Sequence, residues 1–198
     1  MPLCFALQRY CFFHYTQHKQ KVFLKFYSKL LFFSSINVDF LTFAETLLKM
    51  DTDKKEKYRL LFEQIKAMTE VESDAIANMA NAAALIHETF HFWWTGFYRV
   101  DGEQLVLGPF QGPIACTRIP YGKGVCGTAW KEKRTLVVED VAQFKGHIAC
   151  SSASKSEIVA PIIRNGEVKA VLDIDSEYLA TFDEVDQEGL ERIVDLFF

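Results

Sequence analysis

Two dipeptides, Asp101-Gly102 and Asn165-Gly166, each stand between short runs of apolar and β-branched residues. Both central positions of a type I′ turn need positive φ, which Gly adopts freely and Asn or Asp adopts more readily than other residues. The chain is therefore expected to turn back on itself twice as tight hairpins, and hairpins join antiparallel strands. The runs that would supply the strands are 95–100 and 104–109 around the first dipeptide, 157–163 and 167–174 around the second, and a further run at 135–138.

The periodicity is different on either side of this region. Tyr58, Leu61, Phe62 and Ile65, then Ile76, Met79, Ala80, Ala83 and Ala84, recur at helical spacing and predict two helices between 55 and 89, broken near Ser73. Residues 183–198 predict a closing amphipathic helix that buries Val185, Leu190, Ile193, Val194 and Phe197. Helices flanking antiparallel hairpins give an α+β architecture, with a sheet of about five or six strands and helices packed on one face. The stretch 111–134 carries little strand pattern. It is expected to form loops and a short helix over the other face, where a ligand can be enclosed.

A chain of 198 residues with 49% hydrophobic content supports one well-buried core. Its charge is unevenly spread. Residues 1–50 carry 6 Lys and Arg against 2 Asp and Glu, whereas residues 51–198 carry 16 against 24. An acidic body without a basic stripe argues against a nucleic-acid surface, because that binding rests on neutralising phosphates. Residues 1–50 also hold 12 of the 28 aromatic residues and no Gly, and read as an N-terminal extension to a functional domain at 51–198. The composition break favours Met50 as the natural start of translation, with an organelle-targeting segment or a helical extension as the alternatives. The apolar run 22–33 is interrupted by Lys25 and Lys29, so no membrane span is expected.

Five cysteines at irregular spacing do not form a secreted disulfide framework, and point to a reducing compartment, the cytoplasm. Three of them, Cys116, Cys126 and Cys150, fall in Gly- or Ser-flanked, loop-like sequence. A structural zinc site usually shows paired ligands such as C-x-x-C, and none is present. Buried filler cysteines belong in strands or on apolar helix faces. Reactive thiols must be reachable by a substrate and then by a second thiol, which suits loops. The stretch from Gly122 to Gly127 matches G-x-G-x-x-G, but it lacks the preceding buried strand and the full crossover helix of a dinucleotide site. Its glycines are expected to let a loop approach a ligand or adopt unusual dihedrals.

Acidic and aromatic residues supply a pocket. Asp173 and Asp175 alternate within a strand and so share a face, and Glu157 opens a neighbouring strand. Carboxylates among apolar strand residues are costly to bury unless they meet a cation or donors. Trp94 and Tyr98 share a face of the first strand. Core packing and solvent exposure explain such residues singly. Together they suit a substrate with an ammonium group and a methyl group of partial positive charge.

The ordered motifs Trp94-Thr-Gly-Phe-Tyr98, Leu107 to Gly112, Ala115-Cys-Thr-Arg-Ile-Pro120, Gly122 to Ala129, Gly146-His-Ile-Ala-Cys150, Ser156-Glu-Ile-Val159 and Leu172-Asp-Ile-Asp-Ser176 closely resemble the free methionine-(R)-sulfoxide reductases, which use a GAF-type domain. The resemblance covers about residues 53–196 and implies a GAF-like fold and a thiol-dependent oxidoreductase. It makes Cys150 the attacking cysteine, Cys116 the resolving one and Cys126 an auxiliary resolver. Trp94 and Tyr98 match the aromatic pocket, and Glu157, Asp173 and Asp175 match the acidic residues that hold the polar end of the substrate. The implied partners are free methionine-(R)-sulfoxide and thioredoxin, with NADPH acting indirectly, no bound cofactor and no metal. A homodimer is a further expectation. One position departs from the family: Ser151 follows the attacking cysteine, where an acidic residue is common. The alternative is a non-catalytic GAF-type sensor of small molecules or redox state.

Overall fold

The computed structural model describes residues 40–146, 148 and 152–198. Expectations about residues 1–39 lie outside these described residues. By internal contacts the chain divides into Met1–Leu48 and Lys49–Phe198. Among the described residues, helix α1 spans Phe40–Thr69 and runs through Met50 without a break, and α2 spans Ala75–Phe90. The interruption falls around Ser73 as expected, because Asp74 caps α2 by accepting a hydrogen bond from the Ala77 N–H at 2.8 Å. Strands β1 (Trp94–Asp101) and β2 (Gln104–Gln111) follow, then β3 (Arg118–Pro120), α3 (Gly124–Glu132), β4 (Leu136–Val138), β5 (Ser156–Arg164), β6 (Glu167–Ser176) and α4 (Glu184–Val194).

The strands form one six-stranded antiparallel sheet in the order β3-β2-β1-β6-β5-β4. Both predicted hairpins are present, but their turns differ. Arg164 pairs with Glu167, which leaves Asn165 and Gly166 as central residues with φ of 55° and 76°, as a type I′ turn requires. In the other hairpin Asp101 itself pairs with Gln104, so the central residues are Gly102 and Glu103, and positive φ is confined to Gly102 at 61°. Gly at the first central position is the pattern of a type II′ turn. Strand β3 was not expected, since three residues ending in Pro120 are too short for a periodic signal, and they pair along one side only, with β2.

Period two along the strands divides the sheet into two faces. Phe97, Ile158, Ala160, Ile162, Ala170, Leu172 and Ile174 point to one face and pack with Leu61, Ile65, Met79, Ile86, Leu190 and Ile193 of the helices. Tyr58 of α1 donates to Asp186 of α4 at 2.9 Å, and Lys54 also reaches Asp186. The same Asp186 closes a capping box with Asp183, so one carboxylate starts α4 and ties it to α1. The other face carries Trp94, Tyr98, Leu105, Val159 and Val171, covered by Ile119 and by Val125, Cys126 and Ala129 of α3.

Candidate active site

Register fixes what meets on this second face. Trp94 lies opposite Asp175, and Asp175 lies opposite Glu157, so three adjacent strands present one row. The next row is Gly96, Asp173 and Val159. Gly96 is required there. A Cβ at this position would stand 2.5 Å from the Trp94 ring and 2.4 Å from the Phe110 Cβ, so the missing side chain lets the indole lie over the strand. Trp94 stacks on Phe110 with ring centroids 5.4 Å apart and on Tyr98 at 5.9 Å.

The two aromatics also hold the segment that leads to Cys116. Trp94 Nε1 donates to the carbonyl of Pro113 at 3.0 Å, and the Tyr98 hydroxyl donates to the carbonyl of Cys116 at 3.0 Å. Cys116 is half of a disulfide, while Cys126 is a free, buried thiol. Cys126 is therefore not the partner of Cys116. Ile114, two residues before Cys116, is 91% exposed.

The expectation that all three cysteines occupy loops does not hold for Cys126. It lies in the first turn of α3 and is 3% exposed, packed against the second face of the sheet. The glycines around it explain the misreading: Gly122 and Gly124 take φ of 70° and 61°, which turns the chain sharply into the helix, and a run so rich in Gly reads as loop. Cys150 lies outside the described residues, as do His147 and Ser151.

These elements enclose a cleft. Its lining includes Trp94, Tyr98, Cys126, Glu157, Asp173 and Asp175, so six of the expected site residues are brought together. Ala115, Ile148 and Ser154 also line it. Ser154 was not legible as a site residue; its hydroxyl donates to Asp175, and nothing in its Ser-rich surroundings singles it out. The cavity volume in this disulfide-containing state is about 40 Å³.

The electrostatics are unusual because no Lys, Arg or His is among the described lining residues. Burial is the main reason that Glu157 holds its proton well above the usual carboxylate range, and the charges of Asp173 and Asp175 add to it. Asp173 is raised in the same way, by burial and then by Asp175. Asp175 is pushed up by burial to about 6, against the opposing hydrogen bond from Ser154. Burial also pushes the Cys126 thiol up, followed by the charges of Asp173 and Glu157. Among the described residues the buried Asp173 Oδ1 atom has no hydrogen-bond partner. One ligand atom each from Cys126, Glu157 and Asp173 lies within 4.8 Å of the others, the one cluster of metal-ligand type among the described residues. Such a site can hold a neutral carboxyl as a proton donor and can accept a cationic group.

Comparison with known proteins fits this geometry. A family model for the GAF domain matches residues 72–197. The chain is 45% identical over 143 residues to the free methionine-R-sulfoxide reductase of Escherichia coli, spanning 72% of this chain and 87% of that protein. It is 40% identical over 153 residues to the enzyme of the same name from Saccharomyces cerevisiae, spanning 73% and 85%. The solved structure of the free methionine-R-sulfoxide reductase from Neisseria meningitidis, in complex with its substrate, superposes with a TM-score of 0.69 at 51% identity, covering 70% of this chain and 84% of that one. The chain belongs to the GAF-domain family and, within it, to the free methionine-R-sulfoxide reductases.

Proposed function

We propose that this protein reduces free L-methionine-(R)-sulfoxide to L-methionine through a cysteine sulfenic acid and an intramolecular disulfide, recycled by thioredoxin. The observation that carries the reading is the pair of proton-holding carboxyls, Glu157 and Asp173, beside the aromatic wall of Trp94 and Tyr98 in a cleft without cations among its described lining. A sulfoxide leaves its oxygen behind only if that oxygen is protonated. A neutral buried carboxyl at working pH is the group that can donate. Asp175, raised only to about 6, is ionised at neutral pH and suits the substrate ammonium group. Only a free amino acid offers that group at the right distance from its own sulfur.

In this scheme Cys150 takes the sulfoxide oxygen and becomes a sulfenic acid as methionine leaves. Cys116 then attacks the Cys150 sulfur, the hydroxyl departs as water with one proton, and the disulfide forms. What supports Cys150 is that Ile148 and Ser154, which bracket it in the chain, both line the cleft. What supports Cys116 is that it already belongs to a disulfide in which Cys126 takes no part. Cys126, buried and with its thiolate disfavoured, is assigned an auxiliary role. The external dithiol attacks the disulfide, so no bound cofactor is needed; NADPH enters through thioredoxin reductase. A homodimer belongs to the same reading.

The test follows NADPH loss with thioredoxin and thioredoxin reductase on free R-sulfoxide, free S-sulfoxide and a peptide-bound form. Turnover restricted to the free R epimer is expected. Equal turnover of the peptide-bound form would overturn the assignment.

A further inference from the structure

The cysteine spacing shows no paired metal ligands of the C-x-x-C kind, and a cluster made by three separate elements leaves no spacing to read. We propose that Cys126, Glu157 and Asp173 form a site for a borderline-soft divalent cation of the zinc and cobalt(II) class, and that such a cation competes with substrate. Cys126 comes from α3, Glu157 from β5 and Asp173 from β6. Their ligand atoms lie within 4.8 Å of one another, and Cys126 Sγ stands 3.8 Å from Glu157 Oε1. Metal–sulfur and metal–oxygen bonds of roughly 2.3 and 2.0–2.2 Å in a tetrahedron separate such atoms by about 3.3–3.8 Å, so the set needs to contract by only about 1 Å.

An independent observation points to a ligand. Asp173 is 6% exposed and lines the cleft; its carboxyl meets Cys126 and Glu157, but its Oδ1 atom has no hydrogen-bond partner among the described residues. A buried polar atom left without a partner costs roughly 1–3 kcal/mol, and a cation in the cleft relieves that cost. The charge argument has the same direction. Cys126, Glu157 and Asp173 are gathered in a buried cleft in which no described lining residue supplies a positive charge. A dication is a counter-charge for all three, and its binding releases their protons to solvent, so affinity rises with pH. One thiolate and two carboxylates favour zinc or cobalt(II) over magnesium or calcium, which prefer all-oxygen sites. Cys126 is free while Cys116 is disulfide-bonded, so the site is available in that state also.

The competition rests on the reading of this cleft as the substrate site; the metal site does not. The experiment titrates cobalt(II) into the full-length protein without substrate and records the thiolate-to-cobalt charge-transfer absorption in the near ultraviolet. One absorbing cobalt per chain is expected. It is retained in Cys150→Ser and Cys116→Ser, lost in Cys126→Ser, and weakened in Asp173→Asn and Glu157→Gln beyond the roughly 10–100-fold typical of losing an outer-shell partner. The two carboxamide variants keep the thiol and serve if Cys126→Ser does not fold by circular dichroism. Charge-transfer absorption that persists in Cys126→Ser, disappears in Cys150→Ser, or is unchanged in both carboxamide variants overturns the site. Free methionine sulfoxide should displace the cobalt. Cobalt held at Cys126 but indifferent to methionine sulfoxide would leave the site standing and refute the competition.

Discussion

The Tyr98 hydroxyl provides a way to separate the two chemical half-reactions. Tyr98→Phe keeps the ring that stacks on Trp94 and removes a single hydrogen bond, the 3.0 Å contact to the Cys116 carbonyl. Cys116 is only partly buried, so water can take over its carbonyl, and the net loss is about 1 kcal/mol. That loss lowers the melting temperature by about 2–4 °C in a unit of this size. The second tether, from Trp94 Nε1 to Pro113, remains, so the segment bearing Cys116 loosens without leaving. If the bond serves to aim Cys116, closing the disulfide slows by about fivefold, the rate equivalent of that energy. Methionine release in the first turnover should change by less than about twofold, since the aromatic wall is intact. Rapid-quench single turnover of the reduced protein, following methionine and free thiols separately, reads both steps. Equal slowing of both would place the hydroxyl on the substrate and refute the tether.

Three further outcomes follow. Asp175 holds its proton up to about 6 when folded against 3.8 in an ordinary chain, so its contribution to stability is lost as pH rises through that window; Asp175→Asn should gain up to about 3 kcal/mol relative to the parent between pH 4 and 7 in urea titrations, and parallel pH curves would contradict this. Gly96→Ala forces contacts of 2.4 and 2.5 Å with Phe110 and Trp94, so a loss of about 1–3 kcal/mol and a raised KM are expected, measured by thermal unfolding and steady-state kinetics. The disulfide-containing cleft of about 40 Å³ holds at most about three waters, so calorimetry should find methionine sulfoxide bound by the reduced protein and not by the oxidised one.

Much of the fold was legible because two hairpin dipeptides and period-two runs constrain a sheet locally. The pairing of β1 with β6, which sets Trp94 beside Asp175, was not legible, because strands far apart in sequence announce no partner. The carboxylates were visible as costly strand residues, and Asp173 and Asp175 as neighbours on one face; their approach to Glu157 depends on the β5–β6 register. Cys126 was misplaced because glycines that turn a chain into a helix resemble glycines of a loop. The anchoring of the Cys116 segment runs through backbone carbonyls, which carry no residue signature. Among the described residues no helix is long and apolar enough to cross a membrane; the run 22–33 lies outside them.

The central claim is that this cleft reduces a free sulfoxide by a relay between Cys150 and Cys116. The direct test mixes reduced protein with one equivalent of free L-methionine-(R)-sulfoxide, without external reductant, and counts methionine and thiols. The relay predicts one methionine formed and two thiols lost per chain, none of either in Cys150→Ser, and in Cys116→Ser one methionine with a sulfenic acid that a dione reagent traps. Methionine formed by Cys150→Ser at the parental yield would contradict it.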